Sequence, residues 1–294
     1  MFVDAGEGRI GRVELTSFTR RGFSLVAAGG LANFVQPSAQ ASVSAPLNWD
    51  DPAERLHTMI RIMGRTDGGV AIRWIKGVLS GIVDQETTQL LGASQQIFTR
   101  HQRHEDGSYD AVYLELVYFT DLATGKVLDK WSNPYTGRSV TVPAQVLGPT
   151  RIKIPLSLGV INEPYAMEGI KNKHWLEPLP ITGGDAAFNE RIDSYVPPMT
   201  KGGAPLKFHE VFSFRAPVAM LADRALSHVP ATVDKVNIIS WRPWMEMSEI
   251  NGVSMSRGAG RVIVNYDELP MDLTRNNKEF YPDVVRDIED YLKI

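Results

Sequence analysis

The chain has 294 residues, a formal net charge of -3, 43% hydrophobic residues and no cysteine. The missing thiols exclude disulfides, thiolate metal sites, iron–sulfur clusters and cysteine nucleophiles. A mildly acidic chain without a basic run is a poor nucleic-acid binder, and no apolar stretch approaches the roughly 20 residues of a membrane span, so neither nucleic acid nor integral membrane association is expected.

The first feature met is Thr19-Arg20-Arg21-Gly22-Phe23-Ser24-Leu25, which reads as a twin-arginine export signal. An uncharged, weakly apolar segment follows over 25–35, and then Ala39-Gln40-Ala41, the small-x-small pattern that a signal peptidase cuts. The expectation is a signal over 1–41, a single domain over 42–294, a periplasmic destination and the twin-arginine translocase as a partner during export. Losing Arg9, Arg12, Arg20 and Arg21 with Asp4, Glu7 and Glu14 takes the net charge from -3 to -4.

A helix comes next. Asp50 or Asp51 caps it, Pro52 takes its first position, Leu56, Met59, Ile60 and Met63 repeat at helical spacing, and Gly64 lies near its end. From Gly68 the period changes to two. Strands are expected over 70–76, 77–83, 90–100 and 109–120, then over 126–131 after a hairpin turn at 121–125. Further strands follow over 138–142, 151–154, 206–214, 233–241 and 261–266. Gly148-Pro149, Gly183-Gly184, Pro197-Pro198 and Gly202-Gly203 punctuate loops. A short helix is expected within 218–226, and another from Pro282 or Asp283 onward, with Val284, Val285, Ile288, Tyr291 and Leu292 on one face. The pattern predicts a mainly β fold: one large antiparallel, barrel-like domain of calycin or lipocalin type, with N- and C-terminal flanking helices. Two stacked sheets produce the same pattern.

Chemistry is sought where a titratable group interrupts an apolar strand face. On the strand 109–120, Tyr113, Glu115, Val117 and Phe119 share one face, and Val112, Leu114, Leu116 and Tyr118 the other. If the Glu115 face lines the interior, burial raises its pKa and equips it as a general acid or base, with Tyr113 beside it as a hydrogen-bond donor. The competing reading has that face solvated and Glu115 paired with Lys130. On 206–215, Phe208, Glu210, Phe212 and Phe214 oppose His209, Val211, Ser213 and Arg215. His209 is either a proton shuttle or a hydrogen-bonded structural residue. His101 and His104 suggest a metal pair only if helical, and their segment reads as a loop, so no metal is assigned. Arg73-Trp74, Trp131, Asn133, Tyr135 and Trp241-Arg242-Pro-Trp244 set large rings and polar handles near strand ends. At a barrel mouth they form a pocket for a lipophilic or aromatic molecule; otherwise they plug the barrel ends as core.

Two motifs carry a resemblance. Trp131-Ser-Asn-Pro-Tyr-Thr-Gly137, preceded by the tyrosine-rich strand and the turn at 121–125, resembles the domain-of-unknown-function family numbered 1838. So does Trp241-Arg-Pro-Trp-Met-Glu-Met247 followed by Gly252, and the likeness spans about 51–270 with the opening Asp-Pro helix. The resemblance implies one domain, commonly exported by bacteria, and implies no catalytic residue. The residues themselves lead to an enzyme without an organic cofactor, a lyase, isomerase or hydrolase acting on a small lipophilic or aromatic molecule. Glu115, Tyr113 and His209 would be its acid–base groups, with Arg242 and Arg73 orienting oxygens. The alternatives are a lipocalin-type carrier and a metal oxidoreductase built on His101 and His104.

Overall fold

The Asp51 carboxylate accepts the backbone N–H groups of Ala53 (2.8 Å) and Glu54 (2.9 Å), and Pro52 stands at the first position, so helix α1 runs Pro52–Met63 as its caps direct. The computed structural model describes residues 47–143, 145–162, 169–198 and 204–294. The export signal, its cleavage site and the Gly202-Gly203 loop lie outside the described residues.

Ten strands close into one antiparallel barrel. They are β1 (Val70–Val83), β2 (Glu86–Arg103), β3 (Tyr109–Thr120), β6 (Gln145–Ile154), β7 (Gly159–Asn162), β8 (Lys171–Pro178), β9 (Asp185–Val196), β10 (Leu206–Pro217), β11 (Ala231–Ser240) and β12 (Val253–Ile263). Around the wall the order is β1-β12-β11-β10-β9-β8-β7-β6-β3-β2, and β4 (Lys130–Ser132) with β5 (Ser139–Thr141) forms a separate hairpin. The segments expected as two strands, 70–76 and 77–83, are one strand, β1. It turns into β2 through Asp84 and Gln85, both left-handed at φ 50° and 68°. That is a two-residue hairpin turn whose twist suits the strands it joins, made here without the usual glycine. The remaining wall is short-laddered at one place. Among the described residues β7 meets β6 only through Ile152–Asn162 and Lys153–Ile161, and β8 only through Gly159–Trp175 and Val160–His174.

Each end of the barrel is filled. At one end Leu56, Met59 and Ile60 of α1 pack among Ala71, Phe188, Phe212 and Phe214 of the wall. At the other, Trp131 and Val140 of the hairpin and Met245 and Met247 pack on Leu79 and Phe119. Asn133 ties this second plug together. Its amide donates to the Met245 carbonyl at 2.8 Å, and its oxygen accepts the Tyr135 N–H at 2.9 Å.

A further layer covers the outside of β1–β3. Helices α3 (Met271–Phe280), α4 (Pro282–Arg286) and α5 (Ile288–Tyr291) bring Leu273 and Leu292 onto Ile72, Phe98, Val112, Leu114 and Leu116. The sequence pattern predicts the later part of this layer but not α3, whose buried face carries Asn276 and Asn277 beside Leu273. Asn277 explains why a polar helix docks. Its amide donates to Gln96 (2.8 Å) and the Tyr266 hydroxyl (3.0 Å), and its oxygen accepts from Gln96 (2.9 Å) and the Tyr118 hydroxyl (2.8 Å). The short helix expected within 218–226 is α2, Val218–Leu221.

Candidate active site

Alternation along the strands decides which side chains enter the lumen. On β3, Tyr113, Glu115, Val117 and Phe119 face inward, while Val112, Leu114, Leu116 and Tyr118 lie beneath the C-terminal helices. β6 bulges opposite this point. Glu115 pairs with Leu147 and Tyr113 with Thr150, so Gly148 and Pro149 together face Leu114. Gly148 sits at φ 102°, where a Cβ would lie 2.7 Å from the Tyr113 carbonyl oxygen; only glycine fits there.

The lumen holds two adjoining lobes of about 360 and 380 Å³, and Glu115, Leu147, Phe208 and Glu210 line both. Leu147 of β6 lines both lobes and is 48% exposed.

The first lobe lies toward the tryptophan plug. Its walls include Ile75, Leu79, Val117, Phe119 and Ile239, and its polar groups form a chain. The Gln95 amide donates to Glu115 at 2.7 Å, and its oxygen accepts from Lys235 at 2.6 Å. Lys235 also pairs with Glu210 at 2.8 Å, and Asn237 donates to the same carboxylate oxygen at 2.7 Å. Burial pushes the Glu115 carboxyl up; Lys235 opposes the rise and Glu210 adds to it. Arg242 lines this lobe over the Phe119 ring, 5.5 Å from its centroid. Its guanidinium makes no hydrogen bond or ion pair with any described residue, and its Nε is buried without a partner. Burial lowers its pKa, against the attraction of Glu115 and Glu210.

The second lobe lies beside α1. Arg73 and Glu190 pair there at 2.6 Å, with side chains 5% and 7% exposed. The guanidinium also rests on Phe212 and Phe214, 4.6 and 4.7 Å from their centroids. His174 Nε2 lies 3.0 Å from the other Glu190 oxygen. Burial would raise the Glu190 carboxyl, but Arg73 and the His174 hydrogen bond together outweigh it and hold the group at about 2. His101 is buried in this lobe with neither ring nitrogen partnered. Burial, reinforced by Arg73, pulls its pKa down to about 4.

The structure thus brings Glu115, Tyr113, Arg73 and Arg242 into one lumen and leaves other candidates outside it. His209 is on the outer face of β10, half-exposed and hydrogen-bonded to Asp193 of β9, so it does not meet Glu115. Trp74 faces outward, packed against the cluster under the C-terminal helices. Trp131, Asn133, Tyr135, Trp241 and Trp244 belong to the end plug as core and do not line either lobe. Lys130 is exposed on β4 and is not the partner of Glu115, whose place Gln95 takes. His101 and His104 diverge: the first is in the lumen, and the second pairs with Asp110 at 3.2 Å near the surface. Among the described residues no group of three or more His, Asp or Glu side chains is disposed to hold a metal ion. Glu190, His174, Lys235, Gln95 and Asn237 are lumen residues that the sequence pattern did not single out.

Fold and lumen define a closed antiparallel β-barrel with ionisable groups inside a largely apolar cavity. The chain belongs to the family described as protein of unknown function (DUF1838), whose model matches residues 68–291. No curated protein and no solved structure matches it.

Proposed function

We propose that the chain is an exported enzyme that transfers a proton on a small lipophilic, oxygen-bearing molecule held in the barrel lumen, without an organic cofactor. The reaction is a lyase, isomerase or hydrolase step in which Glu115 is the acid or base. The observation that carries this reading is the presence in one lobe of a carboxyl disfavoured as an anion and an arginine whose guanidinium hydrogen-bonds to no described residue. A guanidinium left unpaired in an apolar cavity is costly unless an anion or carbonyl oxygen meets it. With Arg242 and Lys235 on the substrate oxygen, charge that develops there is stabilised, and Glu115 exchanges the proton. Aromatic walls such as Phe119 and Phe208 suit a planar or hydrocarbon body. Export rests on the Arg20-Arg21 motif and the Ala39-Gln40-Ala41 cleavage pattern.

A carrier of the same molecule needs the cavity and Arg242, but no proton donor. The two readings separate in heavy water. A panel of lipophilic ketones and keto acids is incubated with the protein, and deuterium entering at the carbon beside the carbonyl is followed by NMR. Binding is read from the fluorescence of the tryptophans in the adjoining plug. Deuterium exchange above buffer, reduced at least about a hundredfold in Glu115→Gln, supports the enzyme. Tight binding with no exchange or product in wild type makes the protein a carrier. Exchange undiminished in Glu115→Gln removes that residue from the mechanism.

A further inference from the structure

Resting on the lumen reading above, a second set of observations narrows the substrate class. His101 is 1% exposed and lines the lobe beside α1 with both ring nitrogens unpartnered. Its ring lies against Gly64, where a Cβ would stand 2.4 Å from Cε1, so the ring is held from behind and cannot retreat toward the helix. Uncharged at neutral pH, it offers one donor and one acceptor. His174 directs Nε2 at Glu190, so in the neutral ring its Nδ1 is an acceptor, and that atom is also buried without a partner. Since Arg73 and Glu190 cancel each other, this lobe asks for a neutral polar group. The other lobe carries, beside the Lys235–Glu210 pair, the Arg242 guanidinium, which bonds to no described residue and is free to meet an anionic oxygen.

We propose that the lumen binds one bipolar molecule. Its oxyanion seats at Arg242 and Lys235, its apolar body passes between Glu115 and Phe208, and a hydroxyl at its far end accepts from the His101 ring N–H and donates to His174 Nδ1. A hydroxyl fits the pair of rings, since it accepts from one and gives to the other. Along β2, Gln95, which holds Lys235, and His101 are separated by about 20 Å at the usual strand rise, an upper limit for a tilted strand.

The probes are ω-hydroxy fatty acids and the unsubstituted acids of equal length, from about eight to sixteen carbons to match that span. They are titrated calorimetrically into the folded protein at neutral pH. At one chain length the hydroxy acid binds about tenfold tighter than its plain counterpart, the worth of one good hydrogen bond. His101→Leu reduces that advantage to less than about twofold, whereas His101→Gln, which keeps a donor and an acceptor, retains part of it. Gly64→Ala, which alters no polar side chain but displaces the ring, also shrinks the advantage. Equal affinities at every length, or an advantage that survives in His101→Leu, overturn the bipolar substrate. The lumen reading fails separately: then the plain acids do not bind, or bind as well to Arg242→Met as to wild type.

Discussion

Removing the guanidinium from the buried Arg73–Glu190 pair is the sharpest test of the electrostatics inside the barrel. The two groups meet at 2.6 Å with side chains 5% and 7% exposed, so water does little to screen them. A carboxyl held at about 2 against an ordinary 4.5 carries about 3 kcal/mol of stability at neutral pH. That contribution is complete above 4.5 and is lost as the pH falls through 2. Arg73→Met keeps most of the side-chain volume and strands the carboxylate, with only the His174 hydrogen bond left. Its expected cost at pH 7 is about 3–5 kcal/mol. In this variant burial dominates and raises the Glu190 pKa, so the deficit relative to wild type closes as the pH is lowered. Arg73→Met with Glu190→Gln removes both charges and keeps an oxygen for His174, and it recovers about 2 kcal/mol of the loss. Urea unfolding followed by tryptophan fluorescence at pH 7 and pH 4 reads all three quantities. A loss below about 1 kcal/mol in Arg73→Met, or a double variant no more stable than the single, refutes the argument.

Two other outcomes are expected. Asn277→Leu leaves Gln96, Tyr118 and Tyr266 without the amide that joins them; it costs about 2–4 kcal/mol in urea unfolding and accelerates amide exchange in α3, and unchanged exchange there would mean that apolar contacts alone hold the helix. Because burial raises the Glu115 pKa, wild-type stability falls as the pH rises past the ordinary carboxylate range. Glu115→Gln is then at least as stable as wild type at pH 8 and loses that advantage by pH 4, and the opposite pH dependence would show that the carboxylate is favoured in the fold.

Much of the architecture was legible because alternation is a strong signal in long strands. The two faces of β3 were separable by parity, and an acid flanked by Tyr113 and Val117 stood out. The same signal was present and unused elsewhere. On β9 Glu190 interrupts Ala186, Phe188 and Ile192 at period two, and on β11 Lys235 follows Val233 on the face of Ile239. Parity does not say which face is inside, and so it leaves both readings of His209 open: its partner Asp193 is supplied by the register of β9 with β10, which no local pattern encodes. The aromatic motifs were visible, but plug and pocket wall demand the same residues, and only the tertiary position of Asn133 between them distinguishes the two. Helix α3 carries no such periodic signal because buried amides rather than an apolar stripe dock it.

A vessel stoppered at both ends must be filled through its flank. With α1 in one mouth and the tryptophan plug in the other, the flank is what remains, and there the staves β7 and β8 are stitched together most sparingly among the described residues. His174 is carried on one of those staves. For the proposed bipolar ligand, residence is then set by how often this flank parts, and the imidazole proposed to hold its far end moves with it.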